Sequence, residues 1–406
     1  MGGISTGYST ETAIPFNCIS KVGTEARYIE QAYEALHICG DGIFTRKCHE
    51  LLESELGVAK ALLTTSCTHA LEMAALLLDL DPGDQVIVPS FTFPSVINAF
   101  VLRGARPVFA DIRPDTMNLD EGMLAALISP ATRAIVPVHY AGVGCEMQQI
   151  SALAERHGIA IVEDNAHGLF GRYRGKPLGT FGSLATQSFH ETKNFSCGEG
   201  GALLINDPVF IERAEIIREK GTNRKQFFRG QVDKYSWVDQ GSSYLPSDIL
   251  AAILYAQLEV REGIQRRRRE LWLAYQTGLS DWAANRGVQL PFVPDHCEQT
   301  FHIFYLVMPD ASSRTELIEH LKSRGILSVF HYTPLHLSEM GQRFGGYPGQ
   351  CPVSERISNR LLRLPLYSAL TESDQARVVE AIHGFEMPRA DPANVEVRRP
   401  EPLPCL

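Results

Sequence analysis

Short apolar runs at 85–89, 108–112, 134–139 and 159–162 are separated by stretches with helical spacing. That alternation predicts a mostly parallel, doubly wound sheet flanked by helices. Parallel neighbours need a crossover connection, and a helix is the usual one. The run 159–162 reads Ile-Ala-Ile-Val with no polar alternation, as in a strand covered on both faces. It continues as Glu163-Asp164-Asn165-Ala166-His167-Gly168, so a carboxylate emerges where open α/β sheets place their ligands. Two more strands are expected at 184–189 and 202–205. Between them lie Ser188-Phe189-His190-Glu191-Thr192-Lys193-Asn194 and Cys197-Gly198-Glu199-Gly200-Gly201.

Lysine in water has a pKa of about 10.4 and is a poor nucleophile at neutral pH. Held at a strand end in a pocket, it is suited to Schiff-base chemistry, because burial disfavours the ammonium form. A loop lysine taken alone is ordinarily a solvated charge, and an Asp ending a strand is ordinarily a helix N-cap. Lys193 and Asp164 at the ends of two strands are, however, the pair that pyridoxal phosphate needs: a lysine for its aldehyde and an acid for its ring nitrogen. Upstream, Thr64-Thr65-Ser66-Cys67-Thr68 opens an apolar helix. Free amides and the positive end of a helix dipole suit an anion there, although an N-cap would explain one such hydroxyl.

The strings Phe189-His190-Glu191-Thr192-Lys193-Asn194, Glu219-Lys220-Gly221-Thr222-Asn223-Arg224 and Gln226-Phe227-Phe228-Arg229-Gly230-Gln231-Val232-Asp233-Lys234-Tyr235 carry a resemblance. They resemble the nucleotide-sugar aminotransferases of the DegT–DnrJ–StrS group, which have the fold-type I pyridoxal phosphate architecture. The likeness runs from Ile14-Pro15-Phe16-Asn17 to Leu364-Pro365-Leu366. Within the group it is similar above all to the dTDP-4-amino-4,6-dideoxygalactose transaminases. The resemblance implies pyridoxal 5'-phosphate as cofactor, with pyridoxamine phosphate between two half-reactions. It puts Cys67 and Thr68 in the phosphate cup with Ser188, Phe93 over the ring, and Asp164 at the ring nitrogen. Lys193 is the anchoring residue. His167 stands where most members have Gln against the phenolic oxygen. Phe93 fits a core position as well, and Phe44 and Thr45 fit either a substrate wall or a plain helix–helix turn.

By the same resemblance Arg224, Arg229, Lys234 and Tyr235 serve the sugar nucleotide's diphosphate across a homodimer interface with shared sites. His331 belongs to the C-terminal substrate edge. Leu245 occupies the place where the common form has an Asn for the partner's phosphate, and cannot replace it; Ser243 and Tyr244 are the neighbouring alternatives. The implied reaction moves an amino group from L-glutamate to C4 of a dTDP-4-keto-6-deoxyhexose. A C3-aminating relative has the same fold and chemistry. A family dehydratase has His in place of the lysine, and a non-catalytic regulator has no need of Lys193 and Asp164.

A chain of 406 residues is long enough for two or three domain-sized units. Those expected are a flexible tail at 1–13, a large cofactor-binding domain at 14–265, a smaller C-terminal α/β domain at 266–386 and a disordered tail at 387–406. The tetrad Arg266-Arg267-Arg268-Arg269 reads as a solvated helix face between two helices, because a net charge of −9 argues against nucleic acid or an anionic membrane as partner. No apolar run approaches the roughly 20 residues that span a bilayer, and the N-terminus lacks a signal-peptide pattern. Nine cysteines, odd in number and without Cys-x-x-Cys, read as reduced thiols of a cytoplasmic protein, with no metal site. Neither Gly-x-Gly-x-x-Gly nor Gly-x-x-x-x-Gly-Lys is present, against dinucleotide or ATP phosphate loops.

Overall fold

The computed structural model describes residues 13–387. The tails expected at 1–13 and 387–406 lie, save for their inner ends, outside the described residues. Seven strands build the main sheet: β1 (Lys60–Thr64), β2 (Gln85–Pro89), β3 (Arg106–Ala110), β4 (Thr132–Ile135), β5 (Ala160–Asp164), β6 (Leu184–Ser188) and β7 (Gly201–Ile205). Their order is β1-β7-β6-β5-β4-β2-β3. β3, β2, β4, β5 and β6 run parallel, whereas β7 is antiparallel to both of its neighbours. The reversal follows from the connection. No helix lies between β6 and β7, so the chain turns back on itself. Bonds from Phe189 N to Gly200 O (2.8 Å) and Glu191 N to Gly198 O (2.9 Å) prolong the pairing into that turn.

The expected parallel-sheet burial is present: every residue of β6 and β7 is buried, as is all of β5 except its first residue. Apolar layers cover the sheet on its two faces. Helix Cys67–Leu77 contributes Ala70, Leu71 and Ala74 to one, and helix Asp248–Glu259 contributes Ala251, Ala252 and Leu254 to the other. A second core gathers around a smaller antiparallel sheet, in which β10 (Leu361–Leu364) lies between β8 (Phe304–Val307) and β9 (Val329–Phe330). Trp272, Tyr275 and Leu279 pack against Phe304, Leu306 and Leu364 there.

Those aromatic residues belong to one unbroken helix, Arg261–Ala284, which runs through the boundary expected at 265/266. Two helices are present as expected, but the break falls at Val260, after Asp248–Glu259, and not at the arginine tetrad; the uniformly solvated tetrad is corrected as well. Arg268 is 3% exposed. Helical spacing places it three, four and seven residues before Leu271, Trp272 and Tyr275, on the buried stripe. With no carboxylate there, it donates to backbone carbonyls: Nε to Phe301 (3.1 Å), and Nη2 to Leu366 (3.2 Å) and His302.

One glycine sets how closely the sheet approaches the helix that opens on the site. Gly201, opposite Thr64 on β1 and Ser188 on β6, lies beneath the first turn of Cys67–Leu77. A Cβ there would stand 2.3 Å from the Cys67 backbone nitrogen and 2.3 Å from the Ser66 carbonyl carbon. Neither is a side chain that can swing aside. Gly201→Ala is therefore expected to destabilise the protein by about 1–3 kcal/mol, read as a lowered denaturation midpoint, and to weaken cofactor retention by displacing the helix start. An unchanged midpoint would show that the helix has room to shift.

Candidate active site

The C-terminal ends of the parallel strands and the β6–β7 turn meet the small sheet around a cavity of about 750 Å³. Its wall includes Cys67, Thr68, Phe93, Asp164, His167, Ser188, Lys193 and His331, so eight of the predicted site residues come together. Ser188 and His190 both face it, as strand alternation requires.

Lys193 is half-buried, and its turn is closed by Lys193 N donating to His190 O (2.9 Å). Burial lowers its pKa to about 8, opposed by the Asp164 charge. Asp164 is 5% exposed at the last position of β5 and accepts a bond from Ala166 N (3.0 Å). Burial raises its pKa, opposed by that amide, Lys193 and His139. Each group thus supports the other's charge in a site that penalises both.

Behind them, Glu163 is fully buried and accepts from His139 Nε2 (2.9 Å) and from the amides of Gly179 (2.9 Å), Phe181 (2.6 Å) and Gly182 (2.8 Å). His139 is therefore structural. His167 accepts at Nδ1 from Ala141 N (3.3 Å), and burial depresses its pKa well below that of free imidazole. Its proton then sits on Nε2, which makes it a donor. Its ring is 4.3 Å from His302 and 6.2 Å from His331.

At the other end, Ser66 caps helix Cys67–Leu77 by accepting from His69 N (3.1 Å). The amides of Cys67 and Thr68 have no intrahelical acceptor. Thr68 Oγ1 donates to Ser95 (2.8 Å). Burial pushes the Cys67 thiol up, away from the reactive thiolate. Phe93 is 57% exposed, which removes the core alternative for it. Phe44 and Thr45 are fully buried, and Asp248 accepts both of their amides (3.1 and 2.7 Å) at the start of helix Ile43–Leu56. They belong to the first turn of that helix, just after the helix–helix turn, and do not line the cavity.

Arg224, Arg229, Lys234 and Tyr235 do not line this cavity. Their segment packs back on helix Ile211–Arg218, where Arg229 makes a two-pronged pair with Glu215 (2.8 and 2.7 Å). Arg229, expected as a substrate ligand, is thus held by a carboxylate that is only 4% exposed. Arg224 pairs with Glu219 (3.0 Å), Tyr235 packs on Phe227, and Lys234 is exposed. Leu245 packs where a Cβ on Gly40 would be, and Tyr244 is turned inward with its hydroxyl on Glu72 (3.3 Å), while Ser243 is exposed.

The cavity also contains residues that sequence reasoning passed over. His302 donates from Nδ1 to Asn194 Oδ1 (2.9 Å). That amide's orientation is fixed by its nitrogen, which donates to Thr300 O (2.8 Å) and Gln265 Oε1 (3.2 Å). Arg363 enters from β10. A lone charge in Leu361-Leu362-Arg363-Leu364 was its one sequence signal.

Residues 21–383 match the model of the DegT/DnrJ/EryC1/StrS aminotransferase family. The chain belongs to that family. SpsC of Bacillus subtilis, a spore coat polysaccharide biosynthesis protein, is 32% identical over 335 residues, which is 80% of this chain and 85% of SpsC. DesV of S. venezuelae, solved in complex with a ketimine intermediate, superposes with a TM-score of 0.83 at 30% identity, covering 92% of this chain and 98% of DesV. Helicobacter pylori PseC, an aminotransferase involved in the biosynthesis of pseudoaminic acid, has a TM-score of 0.83 at 25% identity, covering 91% of this chain and 98% of its own.

The protein is accordingly a pyridoxal-phosphate-dependent sugar aminotransferase. The residues present fit that cofactor. A free lysine amine, a buried carboxylate and a helix N-terminus with unclaimed amides open on one cavity of sufficient size.

In the cofactor-free protein the Lys193 amine is expected to titrate near pH 8, seen in the pH dependence of its labelling by trinitrobenzenesulfonate. Because the Asp164 charge favours the ammonium form, Asp164→Asn should move that midpoint lower. A midpoint near the free-lysine value in both proteins would mean that water reaches the amine unhindered.

Proposed function

We propose that the enzyme transfers an amino group from L-glutamate to C4 of a dTDP-4-keto-6-deoxyhexose, giving a dTDP-4-amino-4,6-dideoxyhexose. The observation that carries the transfer chemistry is the Lys193 amine beside Asp164 on one cavity. The choice of C4 and of dTDP rests on the resemblance of residues 219–235 to the C4-specific transaminases. SpsC, described as a spore coat polysaccharide biosynthesis protein, and PseC, an aminotransferase of pseudoaminic acid biosynthesis, support a sugar acceptor. Unpaired thiols among the described residues accord with a reducing, cytoplasmic setting.

Pyridoxal phosphate supplies the carbonyl that takes the donor's nitrogen and a ring that spreads the electron pair left behind when a proton is removed. The chain's residues do the rest. Lys193 anchors the aldehyde carbon between turnovers. Once free of the aldehyde, its neutral Nζ would take the proton from the donor Cα and return it to the cofactor. With the keto sugar as acceptor it carries the proton the opposite way. Asp164 keeps the ring nitrogen protonated, an electrostatic contribution present throughout. His167, with its proton on Nε2, would donate to the phenolic oxygen, the contact that Gln makes in most of the family. The Cys67 and Thr68 amides with the Ser188 hydroxyl would hold the phosphate. Phe93 would cover the ring and exclude water, and His331 would line the sugar's side of the cavity.

The active unit in this reading is a homodimer with shared sites. Phe228, Tyr235 and Trp237 are 68%, 52% and 78% exposed on the same segment as Lys234, an aromatic surface that a partner would cover. Arg224 and Lys234 then reach the other subunit's nucleotide, while Arg229 fixes the segment through Glu215.

Lys193→Ala is expected to abolish turnover while the folded protein still binds the cofactor without covalent attachment. Mixed with a folded Arg224/Lys234/Tyr235 triple-alanine variant, it should regain activity once subunits exchange, because one complete site forms per mixed dimer. No recovery after verified exchange would place each loop on its own site. NMR of the product from dTDP-4-keto-6-deoxyglucose and glutamate identifies the aminated carbon; a 3-amino product from the corresponding 3-keto sugar would favour the C3 reading.

Asp164→Ala should lose about a hundredfold or more in kcat, with Asp164→Glu losing far less, since an anion is required more than a particular shape. Equal losses in the two variants would reduce Asp164 to a structural role.

A further inference from the structure

Beneath the segment 223–235, three cations meet two carboxylates: Arg218, Lys225 and Arg229 with Asp41 and Glu215. None of the five lines the cofactor cavity. Arg218, the last residue of helix Ile211–Arg218, is 1% exposed. Its Nη1 donates to Asp41 Oδ1 (2.7 Å), and its Nε donates to Leu63 O on β1 (2.7 Å). The second Asp41 oxygen takes Lys225 Nζ (3.2 Å), which also lies 3.6 Å from Glu215 Oε1. Burial would raise the pKa of Asp41, but Arg218 and Lys225 outweigh it and hold the carboxyl far below the usual range.

The turn that carries Asp41 is itself fixed. Asp41 has a φ of 64°, in the left-handed region that Asp enters more readily than most residues. Asp248 N donates to Ile38 O (2.9 Å) on one side of the turn, and the Asp248 carboxylate accepts the Phe44 and Thr45 amides on the other. One carboxylate is thereby aimed at two cations from different parts of the chain. Arg218, being buried, needs a counter-ion whatever the segment does. Lys225 does not, since a lysine on so short a helix could lie in water. Its side chain is nevertheless 24% exposed, where Arg224 and Arg229 of the same segment are 46% and 51% exposed. It is turned inward, to a carboxylate shared with a buried arginine, and works as an anchor rather than as a ligand for an anion.

We propose that Asp41 is a positioning residue for sugar-nucleotide binding. Through Lys225 it fixes helix Arg224–Phe228 to the turn at 40–42, and so sets where Arg224 and Lys234 stand before the other subunit's site. This rests on the reading that the segment serves the nucleotide. Arg218 also holds Leu63 O, three residues before the Ser66 cap, so the same joint ties the segment to the strand that leads into its own chain's phosphate seat.

The test uses the cofactor-loaded, full-length enzyme. Lys225→Met removes the segment's end of the joint and leaves the Asp41–Arg218 pair intact, whereas Lys225→Arg keeps the charge. Asp41→Asn removes the shared anion; it leaves Arg218 without a counter-ion, so its denaturation midpoint should fall as well. Hydrogen exchange is followed in the peptide covering 224–235, where the amides of Phe227, Arg229, Gly230 and Gln231 are bonded within the segment. In Lys225→Met they should exchange faster. KM for the keto-sugar nucleotide should rise about fivefold, the order expected for a partly exposed pair. The half-reaction with L-glutamate should stay within about twofold of wild type. Lys225→Arg should restore both the exchange and the sugar's KM.

Unchanged exchange and unchanged sugar KM in Lys225→Met, at a wild-type denaturation midpoint, overturn the proposal. So does an equal loss in the glutamate half-reaction, the mark of a joint that only supports the fold. Faster exchange with an unchanged sugar KM also overturns it, because the joint would then hold a segment that does not serve the nucleotide. If wild type aminates no keto-sugar nucleotide, the sugar reading fails, and the exchange of Lys225→Met and Lys225→Arg still decides whether Asp41 holds the segment.

Discussion

The rest of the structure depends on two opposite charges kept in a place that suits neither. Asp164 at the end of β5 and Lys193 in the turn after β6 line one cavity, where burial raises the pKa of the acid and lowers that of the amine. Each partly reverses the shift of the other. The result is a lysine that is an ammonium ion part of the time and a usable amine the rest, which a fully solvated or a rigidly paired lysine would not be. That balance requires strands buried on both faces, since only a dry sheet delivers both groups to its end without water.

The surroundings hold this pair in place with bonds that do not themselves enter the site. Glu163, one residue before Asp164, faces away from the cavity because strand residues alternate. There it gathers His139 and three amides of the 179–182 turn. Asn194, one residue after Lys193, turns its amide toward Thr300 and His302 and so ties the lysine's turn to the small sheet's leading segment. Arg268 grips that segment from the long helix through the carbonyls of Phe301 and His302. Neutral buried histidines at 167, 302 and 331 complete the wall, each depressed by burial. Below about pH 6.5 the unfolded chain takes up protons that these histidines refuse, so stability falls as the solution is acidified.

Charge is divided between an interior and an exterior. Within the cavity Lys193 and Arg363 share the wall with Asp164 and Glu199, so charges of both signs face one space. The basic, aromatic segment at 223–235 lies outside, clamped to helix Ile211–Arg218 through Arg229 and Glu215.

Much of this was legible in the sequence, and for local reasons. Continuous apolar runs fix buried strands, strand ends fix where Asp164 and Lys193 emerge, and the string around Lys193 carried the family resemblance that the match over residues 21–383 establishes. What the sequence could not show is where a side chain's partner lies when that partner is far along the chain. Arg229 reads as a free cation until helix Ile211–Arg218 brings Glu215 against it. Arg268 reads as one of four solvated arginines until an unbroken helix turns it onto the carbonyls of 301, 302 and 366. Arg363, a lone charge among leucines that the sequence reading passed over, lies in the central strand of its sheet, 170 positions from the lysine whose cavity it shares. Local periodicity determines which way a side chain points. Only the packing of distant segments decides whether a charge there meets water, a counter-ion or an open site.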